Sequence, residues 1–265
     1  MDRQEVTERI QTLASTENRH EVLVIVCSDA PVARSDVERR VDASGRTIKR
    51  TLGTLADQGY VRSDEGQYRP TALGRFVCDS YRSFRDSVAL AERLDPVLGR
   101  IPDGELDLDP ERLADATVRT GDDASPYRPL ERVLELRREA SRIRELSTVV
   151  EGRSIEQLGA RLDDGTGIDV EFVLDSAAAA SAEAADTYAS MHQSILRSDM
   201  IDGYVYEGSF PFILGLFDET VVIGTSRDGL PQAMIESDAP MVREWAEETY
   251  AEYRRSATPL AGPPD

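Results

Sequence analysis

The stretch Ser44 to Tyr60, SGRTIKRTLGTLADQGY, constrains the fold of this 265-residue chain more than any other. As a helix it places Ile48, Leu52 and Leu55 on one face at i, i+4 and i+7, while Arg46, Thr47, Lys49, Arg50 and Thr54 fall elsewhere on the cylinder. Ser44 is placed to cap its first turn, and Gly59 to supply the left-handed residue that ends it. Upstream, Ser35-Asp36-Val37-Glu38 reads as a capping box opening a short helix with Val37 and Val41 on its buried face. Asp42-Ala43-Ser44-Gly45 is then the turn between two helices. The order predicts a helix-turn-helix whose second helix has one packing side and one cationic side.

Two short strands follow, Tyr60-Val61-Arg62 and Gln67-Tyr68-Arg69, around Ser63-Asp64-Glu65-Gly66. Thr71-Ala72-Leu73-Gly74 starts another helix. Before the motif lie a short stripe of Val6, Ile10 and Leu13 and a strongly apolar helix from Glu21 to Ser28. This arrangement resembles the winged-helix DNA-binding domains of prokaryotic transcription regulators, and it assigns residues 1–85 to such a domain. The resemblance implies double-stranded DNA as the partner, with Ser44, Arg46, Thr47, Lys49, Arg50 and Thr54 on the reading helix. Arg46, Thr47 and Arg50 are expected nearest bases or phosphates, with Lys49 on a flank, and Arg62 and Arg69 on the wing. Without DNA, these arginines would be a solvated face pairing with Asp57, Asp64 and Glu65.

A formal net charge of −19 sits uneasily with DNA binding until its distribution is counted. Residues 1–85 carry 14 Arg and Lys against 13 Asp and Glu, so the excess acid lies almost wholly beyond them. Lys49 is the only lysine. That bias resembles proteins of salt-loving archaea, in whose molar salt surface charge is screened within a few Å. Such salt also suppresses counterion release, leaving base contacts and dimeric avidity to contribute more. A cytoplasmic location is expected. Residues 1–20 lack an apolar core and predict no secretory signal, and no apolar run is long enough to span a membrane. Cys27 and Cys78, on separate helices without C-x-x-C spacing, read as buried thiols.

From Thr71 to Gly99 the pattern is one long helix, with a seam of Val77, Tyr81, Phe84, Val88, Ala91, Leu94 and Leu98. The seam makes a homodimer the expected assembly, the alternative being packing on the chain's own C-terminal domain. Residues 86–125 are expected to be connecting helix and linker, including a short strand around Ala114 to Arg119, and 126–257 an α/β domain. There, Pro126 to Leu146 reads as a helix, Val149-Val150 as a short strand and Ser154 to Leu162 as a helix. Ile168 to Leu174 is a strand, and Ser176 caps an alanine-rich helix to about Arg197. Strands follow at Tyr204–Glu207, Phe212–Phe217, Thr220–Ser226 and Gln232–Glu236, with a turn at Asp228-Gly229, then a helix from Pro240 through Tyr253. Residues 258–265 read as a flexible tail. The fold class is α/β multi-domain: a winged helix, a long connecting helix and a C-terminal mixed sheet.

Three segments carry a second resemblance: Ser125-Pro126-Tyr127-Arg128-Pro129-Leu130-Glu131, Pro211 to Asp218 with Val221-Val222-Ile223-Gly224, and Glu244-Trp245-Ala246 to Tyr253. They are similar to the C-terminal effector domain of archaeal regulators of the methanogenesis or filament regulator type, in which it follows a winged helix. Where those proteins often have Gly after Pro-Phe, this chain has Ile213. The resemblance implies a transcription regulator. Tyr127, Arg128, Tyr204, Tyr206, Phe210 and Phe212, at element edges, are the candidate contacts for a small-molecule effector.

Catalytic signatures are absent from the sequence. Only His20 and His192 exist, so a multi-histidine metal site is not available, and no segment has calcium-loop spacing. There is no G-x-S-x-G and no P-loop, and Gly165-Thr166-Gly167 precedes a strand and reads as a turn. The expected C-terminal topology is similar to phospholipase-D-like domains, whose chemistry needs paired His and Lys, and no Lys follows residue 49. The chain is therefore expected to be no enzyme and to need no cofactor. The expected function is a sequence-specific DNA-binding regulator with a sensor domain; the alternative is a winged-helix module for protein interaction or DNA architecture, without an effector.

Overall fold

The computed structural model describes residues 3–14, 17–122, 124–150, 152–163, 167–184, 198–227 and 230–260. They form two compact units that divide between Val88 and Ala89.

In the first unit, α1 (Arg3–Ala14) packs on α2 (Glu17–Asp29). Next come β1 (Val32–Ala33), α3 (Arg34–Glu38) and α4 (Gly45–Asp57). The hairpin of β2 (Val61–Asp64) and β3 (Gln67–Pro70) leads into α5 (Ala72–Leu98). Ile48, Leu52 and Leu55 are fully buried against Val22, Leu23, Val26 and Val37. Each such side chain contributes about 1.5–3 kcal/mol by leaving water. Ser44 caps α4 as the sequence indicates, its Oγ accepting the Thr47 amide at 3.2 Å. Gly59 ends the helix at φ +75°. The cap of α3 differs: the Asp36 carboxylate reaches back to the Ala33 amide, so that helix starts one residue earlier than Ser35. β1, too short for any periodicity, completes a three-stranded sheet in the order β1-β3-β2. Gly74 has no room for a side chain, because a Cβ there would lie 1.9 Å from the Tyr60 carbonyl oxygen. Cys78 is buried, and the half-buried Cys27 donates its Sγ–H to the Gly74 carbonyl at 3.8 Å.

Residues 89–120, expected to link two domains, belong to the second unit. Leu94, Val97, Ile101, Leu108, Leu113 and Ala116 are buried in its core, and β4 (Thr117–Thr120) is an edge strand of its sheet. The long seam is divided accordingly. Val77 and Tyr81 pack on the first core and Leu94 and Leu98 on the second, leaving Phe84 and Val88 exposed.

The second unit continues with α6 (Arg128–Glu139), β5 (Arg142–Ser147), α7 (Gly152–Asp163), β6 (Asp169–Asp175) and α8 (Ser176–Ala184). After them come β7 (Ile201–Tyr206), β8 (Ile213–Phe217), β9 (Thr220–Arg227), β10 (Leu230–Ser237), α9 (Pro240–Arg255) and β11 (Ala257–Pro259). The eight strands form one sheet in the order β11-β7-β6-β5-β8-β9-β10-β4. Only β5, β6 and β7 run parallel, joined through α7 and α8 as crossover connections require. Two corrections arise here. The expected helix from Pro126 to Leu146 stops at Glu139 and gives way to β5, while Val149-Val150 forms no strand. Residues 257–259, in part assigned to the tail, pair with β7 at the sheet edge. The turn at Asp228-Gly229 and the helix beyond Ala184, with His192, lie outside the described residues.

The sheet separates two cores. On one face α9 packs Val242, Trp245, Ala246 and Tyr250 over Leu146, Val173, Val221, Ile223, Ala233 and Ile235. On the other, Leu136 of α6 and Ile155 of α7 cover Ile143, Val170, Phe217, Val222 and Met234. Glu236 of β10 ties the second layer together, accepting Arg119 Nε of β4 at 2.9 Å and Arg132 Nε of α6 at 3.1 Å. Burial pushes its carboxyl up, but the two guanidiniums outweigh that and hold it below the ordinary Glu range. A depressed folded-state pKa contributes stability above the unfolded value, and this is lost as pH falls through the folded one. Glu236→Gln is therefore expected to cost about 2–3 kcal/mol in denaturant titrations at pH 7. The gap to the native chain should narrow as pH drops below about 4. A gap independent of pH would contradict the ion-pair account.

Candidate nucleic-acid interface and effector cavity

The α4 helix buries Ile48, Thr51, Leu52 and Leu55, which turns Arg46, Lys49, Arg50 and Gly53, at i, i+3, i+4 and i+7, to solvent. Lys49, also exposed, lies about 100° around the helix from Arg50, on the flank of that face. Thr47 is half-buried and its backbone and hydroxyl serve the cap, with Ser44 Oγ 2.9 Å from Thr47 Oγ1. Thr54 donates to the Arg50 carbonyl at 3.0 Å. The hydroxyls of Ser44, Thr47 and Thr54 are therefore engaged within the helix, and the cations carry the face. At Gly53 a Cβ would meet nothing within 4 Å, so the middle of this face is flat backbone, open to close approach.

Arg62 and Arg69 are register partners across the β2–β3 hairpin, both exposed. Like charges directly opposite on one face destabilise a strand pair, by a few tenths of a kcal/mol up to about 1. Among the described residues, none of Arg46, Lys49, Arg50, Arg62 and Arg69 lies within ion-pair distance of a carboxylate. By contrast, Arg34, Arg39 and Arg40 of the same unit are paired with Glu38, Asp36 and Asp29. The self-paired face that Asp57, Asp64 and Glu65 would provide is not formed. Five cations on one helix and one hairpin are left for an external anion.

The six expected effector contacts fall in several places. Tyr206 and Phe210 stack at 5.4 Å, and both meet Tyr253 edge-on, under α9. Phe212 packs on Trp245 at 6.0 Å, and Tyr204 carries the Arg254 guanidinium 3.1 Å above its ring. Tyr127 is exposed beside Arg153, and Arg128 pairs with Asp122 at 3.2 Å. None of the six lines a cavity between the sheet, α6 and α7, on the face of the sheet away from α9. That cavity measures about 110 Å³. Its walls are mostly aliphatic, and its polar centre is the pair Arg137–Glu145, whose side chains are 12% and 10% exposed. Arg137 Nε lies 3.1 Å from both carboxylate oxygens and Nη2 2.8 Å from Oε1, while Nη1 reaches Ser154 Oγ. Selecting aromatic residues at element edges points to packing clusters; the signal that finds the cavity is a carboxylate on the inward side of a strand. Among the described residues there is no group of three or more His, Cys, Asp or Glu able to hold a metal ion. No helix among them is long and apolar enough to cross a membrane.

A helix-turn-helix with a wing, joined in one chain to an α/β unit with a central mixed sheet, is the class these features define. Residues 126–256 match the family model described as the methanogenesis regulatory protein FilR1, middle domain, and residues 7–93 match that of the HVO_A0261 N-terminal domain. The first match lies within the second unit, and the other covers most of the first and runs a few residues past its end. No curated protein sequence matches the chain. Among solved structures, TrmBL2, an archaeal chromatin protein described as having a novel mode of DNA binding, shares 12% identity at a TM-score of 0.43, over 96% of this chain and 99% of that one. Nuc, a phospholipase D family member from Salmonella typhimurium, shares 18% identity at a TM-score of 0.41, over 55% of this chain and 98% of that one. Both scores are below 0.5, and the fold assignment rests on the topology described above.

Proposed function

We propose that this chain is a sequence-specific DNA-binding transcription regulator of archaeal type, acting as a homodimer, in which the C-terminal unit senses a small molecule and performs no catalysis. The observation that carries the DNA-binding part is the set of unpaired cations gathered on one side of α4 and across the wing, while Arg34, Arg39, Arg40 and Arg82 of the same unit find carboxylates. In this reading α4 enters the major groove and the wing meets the flanking backbone. The family matches on both units support regulation as the role. Selection of bound sequences from a random duplex library, at matched molar and low salt, tests it. Recovery of one recurring site supports the reading, and sequence-independent retention would favour an architectural or protein-binding module. The acid-rich, lysine-poor composition supports a cytoplasm of high salt.

The dimer rests on apolar side chains that the first unit leaves in water. Leu73, Phe76, Phe84 and Val88 lie along one side of α5, with Phe76 and Phe84 69% and 64% exposed, and Val6 and Ile10 form a second exposed pair on α1. Burying them in a partner would offset several kcal/mol of association cost. Sedimentation equilibrium should find a dimer at micromolar concentration, and Phe84→Asp should give a monomer with unchanged thermal unfolding of each subunit. A monomeric native chain would remove this part of the proposal.

A further inference from the structure

We infer that the hollow between the sheet and helices α6 and α7 binds a small, uncharged, mostly apolar molecule carrying one hydrogen-bond donor, an alcohol or phenol about the size of a substituted benzene ring. The inference deepens the sensor reading above, on which its regulatory meaning rests. Size comes first. The cavity of about 110 Å³ is smaller than the closed aliphatic cavity of about 150 Å³ that admits benzene, but it is partly open to solvent, so one end of a ring can project from it. Its floor is opened at Gly224; over Gly215, on the adjacent strand, the Phe217 ring takes the space, 2.6 Å from where a Cβ would stand. A Cβ on Gly224 would reach the cavity with only the Ala233 carbonyl oxygen, at 3.3 Å, closer than ordinary contact. A glycine inside paired strands weakens a sheet, and the void beside Gly224 forfeits packing, so the native chain bears a cost that an occupant would offset.

Charge decides the chemical class. Arg137 is already neutralised by a near-bidentate contact with Glu145, so an anion would meet the carboxylate and a cation the guanidinium at the same spot. Either would be desolvated without a free partner. The remaining hydrogen-bond capacity points to a donor. Ser147 Oγ donates to the Val149 carbonyl at 2.6 Å, and Ser154 is engaged by Arg137. A carboxylate offers about four lone-pair positions, and the guanidinium makes one contact to Oε2 against two to Oε1. Glu145 Oε2 therefore has room to accept a hydroxyl proton from a neutral ligand seated on the glycine floor.

The test uses the full-length chain and two probes of similar size, benzyl alcohol and benzoate, with binding read by calorimetry and by thermal shift. Benzyl alcohol is expected to bind and raise Tm, and benzoate to bind about tenfold or more weakly, the cost of one uncompensated charge contact. Gly224→Val is expected to abolish binding by filling the floor. Val133→Phe, which fills the hollow from α6, gives the same readout should the first variant fold poorly. Equal binding of both probes, tighter binding of benzoate, no binding of benzyl alcohol, or unchanged affinity in the filled variants would each overturn the inference. Duplex affinity measured alongside separates the two readings. Loss of probe binding with DNA binding intact sinks the cavity alone, whereas probe binding that leaves DNA affinity unchanged upholds the site and sinks its sensing role.

Discussion

Replacing Arg46 and Arg50 together with alanine is expected to reduce affinity for a selected duplex by about 100-fold or more, each base-reading arginine being worth roughly 1–3 kcal/mol. Both side chains are exposed on one side of α4, free of carboxylates, and the residues that hold the helix in place lie on its other side. The variant should therefore unfold at the native temperature while losing its site preference. Arg62→Ala and Arg69→Ala should behave differently. Lying opposite each other on the hairpin, they are placed for phosphate. Their loss should weaken all duplexes about equally and lower the salt slope by about one each. Mobility shifts over a salt series, on selected and scrambled duplexes, distinguish the two patterns. A doubly substituted chain that retains full affinity and the native footprint would remove α4 from the interface.

The second large effect concerns stability. Arg137→Ala is expected to cost about 3–5 kcal/mol, because it leaves the Glu145 carboxylate almost buried without its counter-charge. For a chain of this size that corresponds to a fall in Tm of roughly 10 °C. Replacing both, as Arg137→Met with Glu145→Leu, should recover most of the loss, since it removes the desolvated charge instead of orphaning it. Denaturant titrations of the two single variants and the double variant form the required cycle. If the double variant is as unstable as the singles, the pair is not the coupled unit its geometry indicates.

That same pair explains why part of the fold was hidden from the sequence. The first unit was readable because each local signal agrees with its tertiary role. Ile48, Leu52 and Leu55 mark the buried side of α4, Ser44 caps it and Gly59 stops it. In β5 the code breaks. Arg142-Ile143-Arg144-Glu145-Leu146 puts a carboxylate where alternation demands an apolar residue, so the segment reads as the tail of the preceding amphipathic helix. Glu145 is tolerated there because Arg137, on that helix, folds over it. The interruption that concealed the strand is also the polar centre of the cavity. The misplaced linker has another cause. Residues 101–116 carry Gly, Pro and acids around Ile101, Leu108 and Leu113, and only the packed structure reveals that these isolated apolar residues join one core. Of the candidate effector contacts, Tyr204, Tyr206, Phe210 and Phe212 gather in the core under α9, where Tyr206 and Phe210 pack with Tyr253, while Tyr127 and Arg128 stand apart.

The large sheet ends on both sides in short strands, four residues at β4 and three at β11, the latter finishing in Pro259. A proline cannot donate to a further ladder, and so brief a rim offers an incoming chain little backbone to grip. Growth of the sheet from one molecule into the next is thereby discouraged. Self-association, where it occurs, is steered away from strand addition and toward side-chain packing between helices, an arrangement that closes on itself instead of propagating into fibres.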